Sequence, residues 1–369
     1  MPAFLPQNFR KTLLAAAVAA GTAAAPFSAE AATVEDWPLE SSKSWNEDVT
    51  LSAQELPYGG VWLDRQSQKT TLDAGEHQIS FQSTGIRIDG GNNDLVINAS
   101  AVNFKGSTWD SRNPYTGILV ANTARDTASE NLPVSIEFNA PVSFSGSQAL
   151  AVDIVNFPGT HDQQNRIGPL NVVLKFNQGL TISNSTGTIP LDWRRDADLQ
   201  WRPAGIISLA CLGDEGTEIR ATDITLNDNA AVAGVFSRAS KFYISGTFSS
   251  HGFTGSSPLD IYVYDFYARN IEIDSVTSES GGQAFPVSTS SVLFRADRVT
   301  VTNVTGGAMT AAFFAEHQGA VNVDSLTVDA VASTSDWASG ILMSQIYCSI
   351  PSSSVSTMRH RKSANDCSA

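Results

Sequence analysis

A short unit recurs through this chain: a small residue followed by a strand of apolar-rich positions. It reads Thr84-Gly85-Ile86-Arg87-Ile88, Thr116-Gly117-Ile118-Leu119-Val120, Ala204-Gly205-Ile206-Ile207, Ala233-Gly234-Val235-Phe236 and Ser339-Gly340-Ile341-Leu342-Met343. Ala149, Ala284 and Ala312 take the glycine slot in further copies. Slot positions 85, 117 and 149 are 32 apart, and 284, 312 and 340 are 28 apart. The gaps of 56 (149 to 205) and 50 (234 to 284) each hold about two units, with Leu259-Asp260-Ile261-Tyr262-Val263 as a degenerate copy in the second. A fixed period of this size restricts a chain to repeat architectures.

A second strand precedes the slot. Ile271-Glu272-Ile273, Val299-Thr300-Val301 and Leu326-Thr327-Val328 begin 13, 13 and 14 residues before it. Val102-Asn103-Phe104, Val142-Ser143-Phe144, Leu180-Thr181-Ile182 and Ile224-Thr225-Leu226 alternate in the same way, apolar with polar, as half-buried strands do. One unit cannot stand alone. About six inward side chains at ~1.5–3 kcal/mol each give on the order of 10 kcal/mol, less than the entropy cost of ordering some 28 residues. Stacking the units makes the core continuous and shares the strand hydrogen bonds between neighbours. Glycine and asparagine then supply the corners with φ > 0.

The expected fold is therefore all-β: a right-handed parallel β-helix, a solenoid of the pectin lyase-like kind. A β-sandwich also uses short alternating strands, but its strands do not repeat as units. The Leu-x-x-Leu-x-Leu pattern of a leucine-rich horseshoe is absent. Residues 61–345 carry the repeat. Residues 32–60, with Trp37 and Trp45, do not fit it and are expected to cap the first coil. From Ile346 to Ala369 the alternation stops, and Met358-Arg359-His360-Arg361-Lys362 resembles nothing upstream. That segment reads as an unstructured tail, either an ordinary polar end or out-of-frame translation after a truncation.

The N-terminus reads as an export signal. Arg10 and Lys11 precede an apolar stretch from Leu13 to Ala25, and Ala29-Glu30-Ala31 offers the small-x-small cleavage pattern, placing the cut after Ala31. No later segment has 18 consecutive apolar residues, so no membrane anchor is expected in the mature chain. The net charge is −14, and removing Arg10, Lys11 and Glu30 leaves 21 basic against 36 acidic residues. Such a chain is repelled by phosphate, so nucleic acid and anionic lipid are not expected partners. Three cysteines, Cys211, Cys348 and Cys367, are too few for a disulfide scaffold; Cys348 and Cys367 can pair in an oxidising compartment.

Catalytic and metal motifs are missing. There is no Gly-x-Ser-x-Gly, Gly-Asp-Ser-Gly, His-Glu-x-x-His or CxxC, and the histidines at 77, 161, 251, 317 and 360 are scattered. Asp89-Gly90-Gly91-Asn92-Asn93-Asp94 is close to a calcium-binding glycine-aspartate repeat but occurs once and lacks the glycine at 93, which favours a plain turn. No metal or cofactor is expected. Two stretches are candidate ligand contacts. In the 186–203 insertion, Trp193 and Trp201 can stack on sugar rings while Arg194, Arg195 and Arg202 meet acidic groups; alternatively the loop folds against the solenoid with its charges paired. In 261–266, Tyr262, Tyr264 and Phe266 form an outward aromatic row if Ile261 and Val263 point inward.

Signal peptide, capping segment and cysteine-poor, acidic β-repeats in this order resemble the passenger region of bacterial autotransporters, over residues 1–345. The resemblance implies an adhesin-like, non-catalytic β-helix at the cell surface or secreted, with a host-surface or glycan ligand. It also implies a C-terminal translocator barrel in a full-length form, set in the outer membrane. No alternating strands with aromatic girdles follow the repeats here, and without a translocator the exported product stays periplasmic. The rival reading is a β-helical polysaccharide lyase or glycoside hydrolase acting on acidic glycans through the 192–202 loop, with Asp192 and Arg195 essential.

Overall fold

Alternation decides the strands. In Val134–Phe138 the side chains of Val134, Ile136 and Phe138 are buried while Ser135 and Glu137 face outward, and Val172–Phe176 repeats the pattern. The computed structural model describes the chain from Ala32 to Ser356. Residues 1–31, 35–41, 52–60, 65–67, 83–84, 90–92, 106–116, 123–133, 147–150, 157–171, 187–204, 210–216, 238–240, 279–281, 317–318, 336, 345–346, 350–354 and 357–369 lie outside the described residues. The chain divides into two units, Met1–Ala32 and Thr33–Ala369, and the rungs from Lys43 onward belong to the second.

The strands stack as three parallel columns, making a parallel β-helix. The first sheet runs from Lys43–Ser44 through Gln68–Asp73, Asn93–Asn98, Val134–Phe138, Val172–Phe176 and Glu218–Ala221. The second runs from Val49–Leu51 through Gln78–Gln82, Ala101–Lys105, Val142–Ser145, Leu180–Ser183 and Ile224–Asn227. Beyond residue 240 the two merge: Lys241–Thr254, Asp265–Thr277, Leu293–Gly306 and Ala320–Ser333 each bend through both. The third sheet holds Val61–Asp64, Ile86–Asp89, Ile118–Asn122, Val152–Asn156, Gly205–Leu209, Ala233–Ser237, Ser257–Ile261, Val287–Thr289, Thr310–Glu316 and Ala338–Ser344. No helix occurs among the described residues, so none there is long and apolar enough to cross a membrane.

Parallel register puts like on like inside. Phe81, Phe104 and Phe144 follow one another at one inward position, with ring centroids 4.7 and 4.3 Å apart. Phe138 stacks on Phe176 at 5.2 Å, and Phe266 on Phe294 at 4.7 Å. A rung spacing of about 4.8 Å suits ring stacking, each pair adding ~0.5–1.5 kcal/mol beyond its burial.

These columns also explain the small-residue slot. A Cβ on Gly85 would lie 2.2 Å from the Phe104 ring, and one on Gly117 would lie 2.2 Å from the Phe144 ring. The register corrects part of the sequence alignment. Gly117 stands beside Ala151 rather than Ala149, Gly234 beside Pro258, and Ala312 beside Pro286 rather than Ala284. Ile206, rather than Gly205, lines up with Gly234. Coil length varies widely: Val120 to Ile154 is 34 residues, Val152 to Ile207 is 55 and Val235 to Leu259 is 24, so the 149-to-205 gap read as two units is one lengthened coil, which spacing alone does not reveal.

One corner recurs with a left-handed residue. Gly146 (φ 66°), Asn184 (51°), Asp228 (50°), Gly252 (66°), Ser275 (61°), Asn303 (56°) and Ala330 (54°) each follow the second-sheet strand at the same register position. The left-handed residue turns the chain so that the next side chain re-enters the core: Ser185, Asn229, Phe253, Val276, Val304 and Val331 are all buried. Asn229 satisfies the bend between two coils, donating to the Ile182 carbonyl and accepting from the Ser185 amide. Glycine and asparagine occupy four of these seven corners as expected; Asp228, Ser275 and Ala330 do not fit that rule.

The ends differ from the sequence reading. Within the segment assigned to a cap, Lys43–Ser44 and Val49–Leu51 pair as rungs with Gln68–Asp73 and Gln78–Gln82, and Trp45 packs partly buried against the core. Within the segment assigned to a tail, Tyr347–Ser349 pairs with Ala320–Ser333, as does Val355–Ser356. Cys348 falls in register with Val321, a core position; Cys211 and Cys367 lie outside the described residues. Val49-Thr50-Leu51 alternates as the other second-sheet strands do, whereas Val355–Ser356 offers one apolar residue, too few to register as alternation.

Candidate functional site

The densest chemistry lies on the outer face of the first sheet. Each strand there sends its inner residues to the core, so the residues between them form outward rows running from coil to coil. One row reads Glu137, Lys175, Arg220, Tyr243, Tyr267, Arg295 and Asn322. A second, two residues earlier, reads Glu218, Lys241, Asp265, Leu293 and Ala320.

Contacts between rungs tie the rows together. Lys175 Nζ lies 3.0 Å from Glu137 Oε2, and this hydrogen bond holds the Glu137 carboxyl below its usual range, against burial and helped by Asn177. Arg220 pairs with Glu218 on its own strand, and that bond keeps the guanidinium firmly charged. Asp265 is clamped from both sides: Tyr243 Oη donates to one oxygen at 2.8 Å and Arg295 Nη2 to the other at 2.7 Å. Burial, followed by the bond and charge of Asp265, pushes the Tyr243 hydroxyl up to about 12. Arg295 also stands 5.8 Å from the Tyr267 ring centre, while the Tyr267 hydroxyl reaches Asp297 at 3.3 Å. Lys241, Arg269 and Arg298 share this surface, all exposed, without an ion pair among the described residues.

The second sheet has the opposite character. Ser143, Thr181, Thr225, Ser249, Glu272, Thr300 and Thr327 form one outward row. From Ile224 onward, Asp228, Glu272, Asp274 and Asp329 face outward there with no lysine or arginine among the described residues. Asp274 gathers hydrogen bonds from Thr302 (2.6 Å), Asn303 (2.7 Å) and Ser275 (2.9 Å), with His251 Nδ1 at 3.0 Å. The Thr302 bond leads in lowering its carboxyl to about 2, against burial.

The residues singled out from sequence fall in different places. Tyr262 and Tyr264 are 41 % and 47 % exposed at the corner between the third and first sheets, with Val263 buried between them and Ile261 buried just before. Phe266 is fully buried, so the outward aromatic row has two members rather than three. The chain turns at this corner, which resets the alternation and sends both Val263 and Phe266 inward. Tyr262 leans on Phe236 at 5.8 Å, and exposed Val292 joins the ridge from the next coil through its amide on the Val263 carbonyl. Ala29, Ala31, Asp192, Trp193, Arg194, Arg195, Trp201 and Arg202 lie outside the described residues. Among the described residues no group of three or more His, Cys, Asp or Glu is placed to hold a metal ion. Of the glycine-aspartate stretch, Asp89 ends a third-sheet strand and Asn93 and Asp94 begin a first-sheet strand, and 90–92 lie outside the described residues.

The class defined by this architecture is the parallel β-helix. No family model, no curated protein and no solved structure matches the chain.

Proposed function

We propose that the chain is an exported, non-catalytic β-helix of the autotransporter-passenger kind, adhesin-like, that works by binding along its outer faces. The observation that carries this reading is the registered outward rows of the first and second sheets. Polar, charged and aromatic side chains stand there at rung spacing on a closed apolar core, as repeated contact to an extended ligand requires. The Arg10–Lys11 and Leu13–Ala25 segments with Ala29-Glu30-Ala31 support export.

The test is to express the chain from its own start codon in a bacterial host. N-terminal sequencing of the exported product should begin at Ala32, and the purified product should bind intact cells without depolymerising acidic polysaccharides. Retention in the cytoplasm with an uncut N-terminus contradicts export. Polysaccharide cleavage lost in Asp192→Ala or Arg195→Ala would establish the enzyme instead.

A further inference from the structure

We infer that the outer face of the first sheet between Lys241 and Arg298 binds a linear anionic glycan, one carrying carboxylate or sulfate groups on its sugar rings. This rests on the binding function proposed above and names its ligand. The first observation is charge segregation. The chain carries a net −14, yet this patch presents Lys241, Arg269 and Arg295, with Arg298 at the corner towards the second sheet, against Asp265 and Asp297, while Glu218 beside Lys241 is held by Arg220. Beyond the corner at Arg298, the neighbouring second sheet carries Asp228, Glu272, Asp274 and Asp329 and no lysine or arginine over the same coils, among the described residues. Asp324, on the coil beyond, closes the patch.

The second observation concerns which cations are committed. Asp265 is engaged by Arg295 and Tyr243, and Asp297 by the Tyr267 hydroxyl. Lys241, Arg269 and Arg298 are exposed and have no ion pair among the described residues, so their charge is available to a ligand. Charge of one sign left unneutralised on a surface raises the local concentration of the opposite sign.

The third observation is shape. Lys241 and Arg298 are two rungs and five residues apart, roughly 15–20 Å across the sheet by rung spacing and rise per residue. Tyr243 and Tyr267 lie between them in register on neighbouring coils, half-buried and pinned by their hydroxyls. Fixed rings flanked by free cations suit pyranose rings with an acidic group on each or every second residue. The patch is too small, and the chain around it too acidic, for the dense phosphates of a nucleic acid.

The test uses the whole exported chain, with polygalacturonate oligomers and heparin as probes and dextran as the neutral control, measured by calorimetry at two salt concentrations. Both anionic probes, or one of them, should bind, more weakly at high salt, and dextran should not. The triple variant Lys241→Ala, Arg269→Ala, Arg298→Ala should lose at least tenfold in affinity with an unchanged melting temperature, because all three side chains are exposed and unpaired. Lys241→Arg should retain binding. Equal affinity in the triple variant, or equal binding of dextran, overturns the site. If neither probe binds while intact cells are still bound, the glycan site falls and the adhesin-like reading stands; if cells are not bound either, that reading falls as well. If the triple variant instead abolishes self-association in sedimentation and no glycan binds, the patch meets a second copy of the chain, and the glycan assignment is overturned.

Discussion

Gly117→Ala should destabilise the solenoid, although the same exchange in an unstrained position usually stabilises by ~0.4–1 kcal/mol through the unfolded chain. The added Cβ would lie 2.2 Å from Phe144 Cε1 and 2.8 Å from the Ala151 carbonyl oxygen. Carbon atoms sit comfortably at about 3.5–4.0 Å, so the Phe144 ring must retreat by more than 1 Å. It has little room, because it is stacked 4.3 Å from Phe104. Overpacking of this kind costs ~1–3 kcal/mol, and disturbing the stack removes part of a further ~0.5–1.5 kcal/mol. Against the unfolded-state gain, the net loss is about 2 kcal/mol. Urea unfolding followed by circular dichroism reads it directly. In a Phe144→Leu background the penalty should shrink by about 1 kcal/mol, because the ring that blocks the methyl is gone. A Gly117→Ala protein as stable as the parent, or an equal penalty in both backgrounds, would refute the packing explanation of the slot.

Other positions give independent checks. Ala330 holds a left-handed conformation (φ 54°) without a side chain that favours it, so Ala330→Gly should raise the unfolding free energy by about 0.5–1 kcal/mol; a loss would contradict the corner alignment. Ser250 is buried in the inward row between Leu226 and Ile273, and its hydroxyl has no hydrogen-bond partner, so Ser250→Ala should gain about 1 kcal/mol in the same urea assay. Asp274 is held at about 2 in the folded protein against an ordinary 3.8, so its contribution is complete above about pH 4 and fades as the pH falls towards 2. Its side chain is 38 % exposed, and solvent screening leaves about 1 kcal/mol of that shift as stability. The gap between parent and Asp274→Asn should therefore narrow between pH 4 and 2, and a constant gap would refute it. The Tyr243 hydroxyl should ionise near 12, so an alkaline absorbance titration should lose its latest step in Tyr243→Phe.

Much of the fold was legible because burial writes itself as alternation. Val134–Phe138, Leu180–Ser183 and Leu326–Val328 read directly as strands, and the glycines at 85 and 117 marked a real steric requirement. Register was less legible. Ala149 and Ala284 resemble slot residues, but Ala151 and Pro286 hold those places, since corner lengths vary. The charged stripe was invisible for the same reason. Arg220, Tyr243, Tyr267 and Arg295 stand 23, 24 and 28 residues apart, so no single period brings them together before the strands are paired. The Tyr262–Phe266 row shows the limit of alternation within one strand, which a corner resets.

The most direct test of the account is the distance between rungs in solution. Asn103, Thr181 and Thr327 occupy one outward row of the second sheet, with Thr181 and Thr327 five rungs apart and Asn103 and Thr327 seven. With Cys211, Cys348 and Cys367 replaced by serine, spin labels on cysteines at these positions should report backbone separations of about 24 Å and about 34 Å, in proportion to rung count. Distances that do not grow with the number of rungs would contradict the parallel β-helix and, with it, the proposed binding face.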